Sequence, residues 1–497
     1  MTDLNQRMAK GAAWMVLLRL ADRGLGVIST LFLARLLVPA DFGLVAMAMA
    51  VFAVLQIMGT FSFDMALIQN ANAERAEYDT AWTFSVLYGI ASALILAALA
   101  SPAAAFYGEA RIEPILYAFA VCALVQGLEN IGVVAFQKDL ELHKEFRFRL
   151  LKRLSAFAVT LALAFSMRSY WALVLGTLVS SVVGVWLSFL LHPYRPRLCL
   201  QATGDLVRFS KWMVYNNLLV FAVNRGTDFV IGKLAGPAAL GTYTVAYEVS
   251  NLPTTELVYP IMRAVFPGYA RMANDPASLR QSYLDVLAVI AIASVPAGLG
   301  IGALAEPIVL TLLGEKWRDA VPLIQILAVY GVSRACSSNM GSVFLAQGKS
   351  NVLAATGTAT VALLVPLVFW LVPRWGSSGA AWSMLIVSLT MLPVMFILLR
   401  RAIDLRLRSI AAVLWRPLAA AGVMAGVATA LHQSLAELPP YAQLAILAPV
   451  ATVTYIAVLL LLWWAVGKPR SAETMYLTWL RAHLGGLVCA RGAPGTN

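Results

Sequence analysis

The stretch Trp14-Met15-Val16-Leu17-Leu18-Arg19-Leu20-Ala21-Asp22-Arg23-Gly24-Leu25-Gly26-Val27-Ile28-Ser29-Thr30-Leu31-Phe32-Leu33-Ala34-Arg35-Leu36-Leu37-Val38-Pro39-Ala40 reads as a membrane-spanning helix with three charges where lipid tolerates none. A helix rises about 1.5 Å per residue, so from a start near Ala12 the groups Arg19, Asp22 and Arg23 sit roughly 10 to 16 Å inside a hydrocarbon core about 30 Å thick. Arg19, Asp22, Gly26 and Thr30 recur at spacings of three and four, with Arg23 alongside, which gathers them on one face that must line water or protein. Asp22 can pair with Arg19 one turn away, and Arg23 is then left seeking an anion.

The rest of the chain supports a membrane setting. Its 497 residues are 60% hydrophobic and 12% charged, with a mean hydropathy of +0.78, whereas soluble domains carry about 25% charged residues. The first apolar run is too long and too charge-broken for a cleavable signal peptide and is expected to remain as the first helix. Cys122, Cys199, Cys336 and Cys489 lack CxxC spacing, and His143, His192, His432 and His483 never approach ligand spacing, so neither disulfides nor a metal is expected. The formal charge of +12 follows membrane topology rather than nucleic acid binding.

Apolar runs of spanning length recur at about 12–37, 43–67, 80–100, 114–136, 151–167, 171–191, 211–235, 240–264, 283–305, 322–346, 352–372, 377–399, 411–431 and 441–466. The expected fold is therefore all-α and polytopic, with fourteen transmembrane helices. Lys and Arg concentrate in the alternate connections on the side of the termini, which places both termini in the cytoplasm. The most basic connections, Gln137–Arg153, His192–Lys211 and Arg400–Arg416, read as topology determinants near anionic headgroups.

The chain also repeats itself at one constant offset. Trp14-Met15-Val16 recurs as Trp212-Met213-Val214, Pro39-Ala40 as Pro237-Ala238 and Gly43 as Gly241. Six helices, an even number, separate the copies, so two six-helix lobes, 1–202 and 203–405, are expected about a pseudo-two-fold along the membrane normal. Two additional helices (406–466) and a cytoplasmic tail (467–497) lie outside the repeat. In the tail, Leu477, Leu480, Leu484 and Leu487 predict an interfacial amphipathic helix.

The seventh predicted helix carries a polar face of its own, with Asn217, Asn224 and Asp228 aligned and Tyr215, Asn216 and Arg225 beside them. Further ionisable groups expected inside the membrane are Glu129, Glu248, Glu256, Arg263 and Arg334, with Arg225 and Asp228 spaced as a pair. Pro253, Pro260 and Pro296 predict kinks.

Enzymatic constellations are missing. The sequence holds no HExxH, no GxSxG and no paired-aspartate DxD. Gln347-Gly348-Lys349-Ser350 looks like the end of a phosphate loop, but Val343 stands where the earlier glycine belongs. No catalytic residue and no cofactor is expected.

Three segments then carry a resemblance. Leu33-Ala34-Arg35-Leu36-Leu37-Val38-Pro39-Ala40-Asp41-Phe42-Gly43-Leu44, Ala135-Phe136-Gln137-Lys138-Asp139-Leu140-Glu141-Leu142, and Leu313-Gly314-Glu315-Lys316-Trp317 through Pro322 resemble the Wzx-type polysaccharide flippases of the multidrug, oligosaccharidyl-lipid and polysaccharide exporter superfamily. The resemblance implies a bacterial inner-membrane protein with a cationic central cavity. It implies flipping of undecaprenyl-pyrophosphate-linked oligosaccharide repeat units to the periplasmic leaflet for O-antigen, capsule or exopolysaccharide. The partners implied are that lipid-linked oligosaccharide, membrane lipids and other polysaccharide assembly proteins.

On this reading Arg19, Arg23, Arg225 and Arg334 hold the pyrophosphate, because guanidinium groups offer fixed bidentate donors to phosphate oxygens. Tyr215, Asn216, Asn217 and Asn224 offer sugar contacts, and Asp22, Asp228 and Glu248 couple ions or balance charge. A cation-coupled multidrug exporter of the same superfamily would instead make those three carboxylates essential. An integral-membrane glycosyl polymerase or ligase would need a large periplasmic loop, and the longest such connection, Glu306–Val321, is short.

Overall fold

The computed structural model describes residues 2–59, 67–68, 74–201, 203–253 and 258–467, without the side chains of 2–13, 58–59, 203–220, 223–224, 253, 259 and 263. Secondary structure among the described residues is entirely helical. Nine described helices are long and apolar enough to cross a membrane, or ten if the bent pair Ile112–Gly127 and Ile131–Lys138 is one span. The expected helix at Ala472–Val488 lies outside the described residues, as does Glu256; of Arg263 only the backbone is described.

The helices begin and end where local chemistry dictates. Helix α1 covers Thr2–Leu36 and α2 Pro39–Gly59. Proline suits the first turn of α2, and Asp41 reaches back to accept the Val38 N–H at 3.2 Å. Helix α3, Arg75–Tyr107, opens on a reciprocal capping box between Glu74 and Glu77 and closes on left-handed Gly108, which donates to the Ala104 carbonyl. Helix α4 is Ile112–Gly127, and a Cβ on Gly89 of α3 would lie 2.9 Å from the Gly127 Cα, so paired glycines let these backbones touch. Helices α5 (Leu142–Met167) and α6 (Trp171–Leu191) form the next hairpin, which Arg168 turns at a φ of 46°.

Long helical runs follow. Helix α7, Thr203–Pro253, is broken at Gly236, whose φ of 83° and ψ of 178° no helix contains. Tyr259–Arg271 is α8, and α9 is Pro276–Ala303, capped by Asp275 accepting from the Ala277 and Ser278 N–H groups. Helix α10, Ala320–Ala346, ends in a Schellman turn: Lys349 donates to the Phe344 carbonyl at 2.8 Å and Gly348, at a φ of 70°, to that of Leu345 at 3.0 Å. That turn accounts for the phosphate-loop look of Gly348-Lys349-Ser350. Helix α11, Ser350–Ile403, folds back at Gly376, and an added Cβ on Gly379 would strike the Leu371 carbonyl. Helices α12 (Leu407–Ser434) and α13 (Pro440–Ala465) complete the described chain.

Helix α9 continues through Pro296. Pro253 is the last described residue of α7 before the undescribed stretch 254–257, and Pro260 is the second residue of α8.

Two compact units emerge. The first runs up to Val245 and takes in Leu312–Lys316 and Val365–Ala380; the second holds the rest. Within the first, the two copies of the Pro-Ala-x-x-Gly turn meet reciprocally: a Cβ on Gly43 would overlap the Pro237 carbonyl, and one on Gly241 the Pro39 carbonyl. Arg35 donates to the Leu312 carbonyl at 3.1 Å in the same unit, and an added Cβ on Gly314 would lie 3.1 Å from Arg35 Nη1, so the first family-like segment packs against the start of the third. The second unit is built on an apolar seam in which Leu287, Ala291 and Val295 of α9 meet Cys336 and Met340 of α10, Ala420 and Met424 of α12, and Leu447, Ala451 and Tyr455 of α13. Tyr455 also donates to the Ile292 carbonyl at 2.9 Å, so the pair α12 and α13 is docked against α9.

Candidate functional site

The α1 face predicted from the sequence is directed at α5. Arg19 and Arg23 are half-buried and Asp22 is exposed. Arg153 of α5 brings its Nε to 3.3 Å from the Asp22 Oδ1. Gly26, one turn beyond Asp22, leaves the guanidinium its place, since a Cβ there would lie 3.2 Å from Arg153 Nη2. Leu33 and Leu37 pack with Ala164 and Ala172, so α1 and α5 end at one level. Asp22 lies fourteen residues before Leu36 and Arg153 fourteen before Met167, so both sit about 21 Å from those ends.

This corrects the expected connection Gln137–Arg153. Helix α5 begins at Leu142, because the apolar positions Phe146, Phe148, Leu150 and Leu151 start before the uncharged run does, and Lys152 and Arg153 therefore lie well inside a spanning helix. Lys152 points elsewhere than Arg153: its Nζ is 2.7 Å from Glu129 Oε2, and its Cε and Nζ rest where a Cβ of Gly184 on α6 would be. Glu129 is not within a helix, as the sequence suggested, but in the break after Gly127 where the chain bends by 68°. Asn130 holds that break, accepting the Gly132 N–H at 2.9 Å and donating to the Tyr194 carbonyl at 2.7 Å.

On α7 the spaced pair is made. Arg225 Nη1 is 3.3 Å from Asp228 Oδ2; the carboxylate is buried while the arginine side chain is 55% exposed. The side chains of Tyr215, Asn216, Asn217 and Asn224 lie outside the described residues. Arg19, Asp22, Arg23, Arg225 and Asp228 all belong to the first unit, and Glu248 and Arg334 to the second.

In the second unit Arg334 of α10 donates to the Tyr247 hydroxyl at 2.8 Å. Tyr330, one turn earlier on α10 and itself buried, stands 6.3 Å from the Tyr247 ring, so the guanidinium emerges between two phenols. Glu248, next to Tyr247 on α7, is exposed. Sequence reasoning missed Arg153, Lys152 and the two tyrosines. The early start of the apolar pattern signals the first pair, whereas Tyr247 and Tyr330 carry no signal that separates them from ordinary core aromatics.

A family described as polysaccharide biosynthesis protein matches residues 32–322. The lipopolysaccharide biosynthesis protein WzxC of Escherichia coli (strain K12) is 24% identical over 425 residues, covering 84% of this chain and 85% of that protein. The succinoglycan biosynthesis transport protein ExoT of Rhizobium meliloti (strain 1021) is 25% identical over 337 residues, 67% of this chain and 68% of its own. Among solved structures, the lipid II flippase MurJ in an inward closed conformation aligns with a TM-score of 0.74 at 11% identity, covering 91% of this chain and 99% of that one. That likeness is one of fold.

Proposed function

We propose that this chain, which belongs to the polysaccharide biosynthesis protein family and is a Wzx-type member of the multidrug, oligosaccharidyl-lipid and polysaccharide exporter superfamily, flips undecaprenyl-pyrophosphate-linked oligosaccharide repeat units from the cytoplasmic to the periplasmic leaflet. It is a multi-pass bacterial membrane transport protein rather than an enzyme. The proposed frame is fourteen spanning helices, with six-helix lobes at 1–202 and 203–405, two further helices and cytoplasmic termini, working by alternating access.

The observation that carries this reading is the cationic face of α1, joined at its own depth by Arg153. An arginine at that level is costly unless it serves a ligand or a partner, by about 2.5 to 3.5 kcal/mol on insertion scales. Arg19, Arg23 and Arg225 present guanidinium groups suited to a diphosphate, with Arg334 as a further donor in the second unit. The exporter alternative is disfavoured because both carboxylates it relies on in the first unit, Asp22 and Asp228, sit against arginines at 3.3 Å. A cation would have to displace a guanidinium at each.

The test is to purify the protein from cells making the surface polysaccharide and identify the co-purified lipid by mass spectrometry. A polyprenyl-diphosphate-linked glycan is expected. Recovery of bulk phospholipids alone, together with normal polysaccharide export in a deletion strain, would refute the assignment.

A further inference from the structure

We propose that Arg153 is itself a substrate-contacting residue, and that Asp22 holds its guanidinium in the unloaded carrier until an anionic diphosphate takes it over. This rests on the diphosphate reading above and adds to it a residue and an order of events. The contact with Asp22 has the character of a placeholder. Its closest approach, Nε to Oδ1, is 3.3 Å, and the two side chains are 47% and 60% exposed. A diphosphate offers several oxygens to the planar fork of the guanidinium, which comes closest to the carboxylate through Nε.

The setting favours exchange over a fixed tie between helices. Gly26 lies against Arg153 Nη2, so on that side the guanidinium rests on bare backbone, where no α1 side chain holds it. Half-buried Arg19 and Arg23 lie on the same turns of α1, so a diphosphate drawn to that face meets Arg153 at the same height. Asp22 then becomes the group that keeps an empty cationic face neutral enough to persist in the membrane. The neighbouring pair differs: Lys152 and Glu129 meet at 2.7 Å and are about three-quarters buried, which suits a permanent brace.

A fixed tie and a placeholder respond in opposite ways to losing Asp22. The experiment uses the full chain in nanodiscs, with farnesyl diphosphate as probe and farnesol as control. Wild type binds the diphosphate in preference to the alcohol. Arg153→Ala weakens diphosphate binding about tenfold, the scale of one charge-assisted contact, and Arg153→Lys weakens it less. Asp22→Asn tightens binding about threefold, because the competitor is gone, and the tightening vanishes in the Asp22→Asn/Arg153→Ala double variant. Asp22→Asn and Arg153→Lys keep side-chain size, so they report even if Arg153→Ala fails to fold. Unchanged or weaker binding by Asp22→Asn, with wild-type binding intact, overturns the exchange and leaves the diphosphate reading standing. Equal tightening in the Arg153→Ala background also overturns it. Wild-type indifference between diphosphate and alcohol overturns both.

Discussion

At the scale of single residues, the decisive feature is charge placed where the bilayer would reject it. Arg23 is half-buried on the α1 face, and Arg225 keeps 55% of its side chain exposed even while fixed to Asp228. Its charge is thus partly offset, yet its free edge can still donate. Arg23→Ala and Arg225→Ala are therefore expected to abolish polysaccharide export with unchanged protein levels in the membrane. Arg→Lys at either site should restore only part, because an ammonium lacks the bidentate fork. Surface polysaccharide measured by immunoblot against membrane abundance decides it; full export by both alanine variants would remove these arginines from the proposed diphosphate site.

At the scale of elements, the repeat in the sequence becomes a contact. Gly43 and Gly241 occupy equivalent places in the two Pro-Ala-x-x-Gly turns, and each lies against the other copy's proline carbonyl. Even one methyl group overlaps there, so Gly43→Ala and Gly241→Ala should each cost about 1 to 3 kcal/mol, the usual penalty of overpacking. Both break one contact, and the double variant should lose less than the sum. Thermal unfolding of the three purified variants measures this; strict additivity would mean that the two turns do not share an interface. The segment after α6 is a second such device. Tyr194 donates to Asp79 Oδ1 at 2.7 Å, the Arg197 N–H donates to the same oxygen at 2.8 Å, and the Cys199 N–H donates to the Thr83 hydroxyl at 2.8 Å. His192 Nδ1 accepts the Tyr194 N–H at 3.1 Å, and burial, with Lys144 nearby, pushes its pKa below the usual histidine range. The folded state then resists a proton that the unfolded chain accepts, so this contribution is lost as pH falls below about 6.5. Hydrogen exchange of the 192–200 segment, corrected for intrinsic rates, should show weaker protection at pH 5.5 than at pH 7.5; equal protection would exclude His192 as a determinant.

At the scale of the whole molecule, the diphosphate substrate proposed above would supply a driving force by its own charge. A pyrophosphate diester carries about two negative charges, and moving one charge across the membrane is worth about 2.3 kcal/mol per 100 mV. Outward movement of that negative charge, downhill across an inside-negative potential of about 100 mV, would thus gain roughly 4 to 5 kcal/mol, less whatever charge the carrier returns. Flipping in sealed proteoliposomes is therefore expected to respond to an imposed potential with sodium and proton gradients both absent. Equal rate and extent at zero and 100 mV would show that the field on the diphosphate does not drive the cycle. The helical membrane class, the family and the charged face of α1 are legible in the residues alone, because lipid imposes long apolar runs and makes every charge inside them conspicuous. The Pro-Ala-x-x-Gly repeat was equally legible, since turn chemistry is local. That Arg153 belongs with Asp22, that Glu129 sits in a bend against Lys152, that Glu248 is exposed, and that Arg334 meets the Tyr247 hydroxyl beside Tyr330 follow from the folded packing. Periodicity tells which residues share a face of one helix, but the counter-charge of a group on that face comes from whichever helix packs against it, and that choice is made by side-chain fit across residues far apart in the chain.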